Sequence, residues 1–167
     1  HAWVAFALEH DPQVREAAIR AQAAAAVRYD DDSDTDDGIP VLDAYSDGSV
    51  LAQGVEGSAA ALVRVFGTDV SATVRLALVD VALSSGRSEW AGLVMVLYIV
   101  REVRASAVLR LDNLQVVNIF NGGEWRFRRN WLRRSDRDMA MLAQALGRDR
   151  RLRGFGELTA LHQLWHA

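Results

Sequence analysis

The stretch Val41-Leu42-Asp43-Ala44-Tyr45-Ser46-Asp47-Gly48-Ser49 decides the fold. It reads as a first strand over residues 41–46 that closes at Asp47-Gly48, a common turn pair. Two more strand-like runs follow, 59–66 and 72–83, separated by Gly67-Thr68-Asp69. Three successive strands with tight connections imply an antiparallel meander. Downstream, the apolar spacing predicts a long helix from about 88 to 104, a short strand over 107–111 and a second helix from about 113 to 120. Another helix opens at Ser135, where Ser135 and Asp138 have capping-box spacing, and stops before Gly147. A last apolar run, 158–165, is a final strand. The order strand, strand, strand, helix, strand, helix, helix, strand belongs to an α/β domain whose mixed sheet is covered by helices.

Upstream of this pattern, residues 11–29 form an alanine-rich helix with Pro12 in its first turn, as in the tail of a preceding domain. Residues 30–38 then pack six aspartates into a segment without apolar side chains, which reads as a solvated spacer rather than a metal site. The division expected is therefore 1–38, helix and acidic linker, followed by a domain over 39–167.

Composition narrows the chemistry. Half of the 167 residues are hydrophobic, enough for one good core. The chain has no cysteine, so thiolate metal sites and disulfides are excluded, and a bound metal must sit on oxygen or imidazole ligands. The apolar run 90–100 is shorter than the roughly 20 residues a membrane helix needs, so it reads as a core helix. No signal peptide or membrane partner is expected, and an intracellular location follows, nuclear and cytoplasmic being indistinguishable. The net charge of -3 hides a division: residues 1–43 hold ten acids against three arginines, which leaves the rest of the chain positive by four. Every basic residue is arginine, whose planar fork suits phosphates.

Three acids stand at element ends: Asp47 after the first strand, Glu89 in Ser88-Glu89-Trp90 opening the long helix, and Asp112 in Leu111-Asp112-Asn113 closing the fourth strand. Each has an ordinary structural role open to it, as turn residue, helix-dipole partner or cap. Together they say more. If the first and fourth strands are neighbours, Asp47 and Asp112 emerge side by side, and Glu89 heads a stripe through Leu93, Val96 and Val100 that faces the same sheet. Carboxylates brought to ~4 Å repel by about 4 kcal/mol per pair at an effective dielectric near 20. Such a cluster makes sense around cations, and two divalent ions about 4 Å apart can activate water against a phosphodiester.

These motifs resemble the ribonuclease H family. Ala44-Tyr45-Ser46-Asp47-Gly48-Ser49 is similar to its first-strand signature, Ser88-Glu89-Trp90-Ala91-Gly92-Leu93 to its glutamate-headed helix, and Leu109-Arg110-Leu111-Asp112-Asn113-Leu114 to its second aspartate, over roughly residues 41–165. The resemblance implies a five-stranded mixed sheet, three antiparallel strands then parallel ones, flanked by helices. It implies hydrolysis of the RNA strand of an RNA/DNA hybrid with two Mg2+ (or Mn2+) ions, Asp47 bridging both and Glu89 and Asp112 each helping to hold one. Ser49 and Asn113, beside the two aspartates, are expected among the nucleic-acid contacts.

The segment Trp125-Arg126-Phe127-Arg128-Arg129-Asn130-Trp131-Leu132-Arg133-Arg134 resembles a basic, tryptophan-containing insertion that grips the hybrid in several ribonucleases H. Trp125, Arg126, Arg128, Arg129, Trp131, Arg133 and Arg134 would supply phosphate contacts and aromatic faces; a solubilising arginine face with tryptophan core anchors is the plainer reading. The family also carries a fourth acid on a helix after the last strand, preceded by a loop with a histidine. The chain ends at Leu164-Trp165-His166-Ala167, where that loop would start, which is the pattern of a domain truncated at its C-terminus, such as a nuclease portion attached to a retroelement reverse transcriptase. His166 is a candidate for the loop histidine, whereas His1, His10 and His162 have no site partner in the sequence pattern. Two other readings stay open: an inactive module of the same fold that binds nucleic acid or acts as a scaffold in a larger assembly, and a transposase or integrase core.

Overall fold

Residues 7–31, 41–52, 54–122 and 136–163 are described by a computed structural model. The first strand, β1 (Val41–Ala52), pairs antiparallel with β2 (Gly54–Val65), and β2 pairs antiparallel with β3 (Ser71–Leu83). β4 (Ser106–Leu111) runs parallel to β1 on its other side, and β5 (Leu158–His162) runs parallel to β4. The sheet order is β3-β2-β1-β4-β5, a mixed five-stranded sheet with β1 at its centre. Among the described residues, helices α1 (Pro12–Asp31), α2 (Ser85–Ile99), α3 (Leu114–Phe120) and α4 (Arg137–Leu152) flank it.

Alternation along the strands sets the two faces. Leu42, Ala44, Ala61, Val63, Val74, Leu109 and Leu111 are buried on one face and share a single core with the helices. The other face of β1 and β4 carries a polar network. There the Arg110 Nε donates to Asp43 at 2.8 Å, the Tyr45 hydroxyl donates to the other Asp43 oxygen at 3.0 Å, and Arg110 also reaches Gln163 at 3.0 Å. The guanidinium groups of Arg64 and Arg110 lie 5.7 and 5.8 Å from the centroid of the Tyr45 ring.

Helix α2 is buried nearly all round: every residue from Trp90 to Ile99 is in the core. That burial explains its continuous apolar composition, since a helix with polar partners on no side has no need of a hydrophilic stripe. Helix α1, the alanine-rich helix expected over 11–29, packs onto this domain. Its small buried residues Val14, Ala17, Ala21, Ala24 and Ala25 pack into the same core, against α2 and β3. Alanines let a helix approach closely without a strong apolar stripe, so the packing leaves little trace in the sequence. The Asp11 carboxylate caps the helix by accepting the Gln13 N–H at 2.8 Å, with Pro12 in the first position.

Several boundaries move. β1 does not close at Asp47-Gly48 but continues to Ala52, with Asp47 opposite Ala60 and Gly48 opposite Ala59. The long helix starts at Ser85 and ends at Ile99, capped by the Ser84 hydroxyl, which accepts the Arg87 N–H at 3.1 Å. Helix α4 runs through Gly147 to Leu152 instead of stopping before it. A Cβ at Gly147 would come within 3.4 Å of Phe120 and 3.5 Å of Leu158, so this glycine serves close packing inside the helix. Ser135, the other half of the expected capping box, lies outside the described residues; the Asp138 carboxylate takes both ends of the Arg87 guanidinium, at 2.7 and 3.0 Å. The final strand ends at His162, short of the expected 165.

Candidate active site

Glycines bring the three acids to one end of the sheet. A Cβ at Gly48 would lie 2.3 Å from the Ser88 carbonyl carbon and 2.5 Å from the Glu89 nitrogen, so only glycine lets the start of α2 lie on β1 at this point. Gly92, one turn further along α2, is the reciprocal contact: a Cβ there would be 2.9 Å from the Asp47 carbonyl oxygen. On the other side of β1, the parallel register pairs Ser46 with Leu111, so Asp47 and Asp112 follow as neighbouring positions on adjacent strands. All three acids are partly buried.

Their electrostatics record the proximity. Burial, then the negative charges of Asp47 and Asp112, push the Glu89 carboxyl from its ordinary 4.5 up to about 7, against the opposing pull of the Gly48 N–H. That N–H also donates to the Asp47 carboxylate at 2.9 Å. Glu89 is therefore a partly buried carboxyl whose pKa lies near neutral pH and which feels the charge of two other acids.

The ordinary explanations of these acids weaken in the structure. Asp47 is inside a strand and not in a turn. Glu89 is in the second turn of α2, whose first turn has no acid at all. The cap of α3 is Asn113, whose side-chain oxygen accepts the Val116 N–H at 3.1 Å, leaving the Asp112 carboxylate free of that duty. Asn113 itself thus has a structural task, and the Ser49 hydroxyl is hydrogen-bonded to the Ser58 hydroxyl at 2.7 Å.

The donor set consists of carboxylate oxygens only, which suits hard divalent cations such as Mg2+ or Mn2+. Among the described residues, however, no three His, Asp or Glu side chains are drawn together tightly enough to hold a metal ion as they stand.

One neighbour escaped the sequence pattern. His162, expected to have no site partner, ends β5 with its Nε2 3.2 Å from the Asp112 carbonyl oxygen. The signal lay in strand register, since His162 pairs with Leu111 on β4, and register is not visible in a single strand's composition. His166 and the segment holding Trp125, Arg126, Arg128, Arg129, Trp131, Arg133 and Arg134 lie outside the described residues.

Solved structures place this architecture. Ribonuclease H1 of the archaeon Halobacterium salinarum matches with a TM-score of 0.59 at 17% identity, over 75% of this chain and 86% of that one. The chain has the ribonuclease H fold. The ribonuclease H1 called LC11, solved in complex with an RNA/DNA hybrid, matches with a TM-score of 0.55 at 10% identity, over 74% of this chain and 86% of that one. A foamy viral protease-reverse transcriptase, also in complex with an RNA/DNA hybrid, matches at 0.53 and 11% identity over 75% of this chain and 17% of the viral one. No family model and no curated protein matches the sequence. At these identities the likeness speaks for the ribonuclease H fold, including the sheet order that makes β1 and β4 neighbours.

Proposed function

We propose that this chain is a metal-dependent endonuclease that hydrolyses the RNA strand of RNA/DNA hybrids. The observation that carries the reading is the mutual influence of Asp47, Glu89 and Asp112, residues from three different elements, at one end of the sheet. Ribonuclease H neighbours solved with RNA/DNA hybrids support the choice of substrate class.

In this reading Asp47, on the central strand, together with Glu89 and Asp112 would hold divalent cations. Bound cations would supply an activated water on one side of the phosphodiester and charge stabilisation for the departing oxygen on the other. Burial and the charges of Asp47 and Asp112 raise the Glu89 pKa, and a bound cation would favour its ionised form. Gly48 keeps α2 against β1, so Glu89 cannot drift from Asp47. Arg126, Arg128, Arg129, Arg133 and Arg134 neutralise phosphates, while Trp125 and Trp131 offer stacking faces. Ser49, two residues beyond Asp47 on β1, and Asn113, next to Asp112, would add contacts to the nucleic acid. Preference for a hybrid rests on groove shape and 2′-hydroxyl contacts rather than base sequence. The reverse-transcriptase neighbour favours attachment to a polymerase in a longer polypeptide.

A second reading, an inactive module of the same fold that binds nucleic acid, is favoured by the open arrangement of the carboxylates. Incubation with a labelled RNA/DNA hybrid and magnesium separates the two. RNA cleavage by the chain that is lost in Asp47→Asn is expected; binding without cleavage in both proteins assigns the inactive module instead.

A further inference from the structure

A second basic feature lies away from the carboxylates. A cleft of about 470 Å³ opens between the end of α3, the outer side of α4 and the start of β5, floored by Phe120, Gly147 and Leu158. Its polar neighbours Asn121 and Gln144 are already engaged. Asn121 both donates to and accepts from the Ala160 backbone, at 2.9 and 3.2 Å, and Gln144 donates to the Ile119 carbonyl at 2.9 Å. The charged groups on the rim are Arg148, Arg151 and Glu157.

The arginines near the end of α4 divide their tasks. Arg150 is buried and donates to the carbonyls of Val100, Val103 and Ala105. Arg153 is tied to Glu102, Asp149 and the Arg101 carbonyl. Arg148 and Arg151, three residues apart and therefore on one side of the helix, are exposed and make no hydrogen bond or ion pair among the described residues. Two unengaged guanidinium forks above an apolar floor fit a nucleotide unit, with phosphate oxygens on the forks and the sugar or base against Phe120 and Leu158.

We infer that this cleft is a second nucleic-acid contact site, in which Arg148 and Arg151 take phosphates of the strand backbone. It rests on the hybrid-binding reading above but uses none of the residues assigned there. Leu158 stands four residues before His162 on β5, so the cleft lies roughly 13 Å along the strand from the catalytic end. That distance corresponds to about four base-pair steps at ~3.4 Å each, within reach of one continuous duplex. Glu157 on the same rim opposes an anion, which gives the site a built-in test of sign.

The experiment is a salt titration of the anisotropy of a labelled 24-base-pair RNA/DNA hybrid in EDTA, with the wild-type chain, Arg148→Ala/Arg151→Ala and Glu157→Gln. Both arginines are exposed, and retained thermal unfolding checks that the double variant is folded. Loss of two phosphate contacts lowers the slope of log affinity against log salt by about two, and weakens binding at 0.1 M salt by roughly ten- to a hundredfold. Glu157→Gln is expected to tighten binding. A double variant with wild-type affinity and slope overturns the cleft while leaving the hybrid-binding reading intact. A wild-type chain that fails to bind the hybrid at any salt overturns both.

Discussion

At the scale of single residues, the account turns on Glu89. Folding raises its pKa from 4.5 to about 7, so between these values the folded chain holds more protons than the unfolded one. In the absence of divalent ions, stability attributable to this group must therefore fall as pH climbs from about 4.5 through 7, then level off. Urea denaturation of wild type and Glu89→Gln at pH 5 and pH 8 checks the sign: the variant should lack this loss and be the more stable of the two at pH 8. Equal pH dependence in both proteins would contradict the raised pKa of Glu89, which burial and then the charges of Asp47 and Asp112 produce. Gly48 is the other residue with a sharp consequence. Gly48→Ala puts a methyl 2.3 Å from the Ser88 backbone and should cost about 1–3 kcal/mol or more, read as a lower denaturation midpoint. The sequence pointed to Asp47-Gly48 for the wrong local reason. The glycine is needed by a helix packed across the strand, a contact between residues about 40 positions apart that no turn rule describes.

At the scale of elements, the strands were legible because β-branched and apolar residues alternate within them, and the helices α2 and α3 because their apolar content is nearly continuous. Helix α4 was read less well at both ends. Its interior glycine answers a packing demand from Phe120 and Leu158, and its Asp138 answers the buried Arg87. Both are long-range demands. The Arg87–Asp138 pair ties the turn of α2 that precedes Glu89 to the beginning of α4. Burial alone would raise the Asp138 pKa, yet the hydrogen bonds and charge of Arg87 hold it below the usual carboxylate range. Asp138→Ala removes the bidentate carboxylate from a fully buried guanidinium and should destabilise the protein by about 2–4 kcal/mol, the lower end reflecting the water-exposed side of the carboxylate. Equilibrium unfolding measures it, and a loss well below 1 kcal/mol would contradict a stabilising role for this pair.

At the scale of the whole molecule, the five-stranded sheet and its flanking helices gather Asp47, Glu89 and Asp112 at one end of the sheet and leave Arg148 and Arg151 of α4 without a hydrogen bond or ion pair among the described residues. No described helix is long and apolar enough to cross a membrane. The convergence of Asp47 and Asp112 could be anticipated only by assuming that the first and fourth strands are adjacent, and the parallel pairing of β1 with β4 supplies that adjacency. Which cations the cluster takes is the central question, and it is open to direct measurement. Isothermal titration of Mn2+ into the wild-type chain and Asp47→Asn, each in two buffers of different ionisation enthalpy near pH 7, reads both binding and proton release. The account expects Mn2+ uptake by the wild type with release of protons, and its loss in Asp47→Asn. Absence of Mn2+ binding by the wild type, or binding undiminished in the variant, would contradict it.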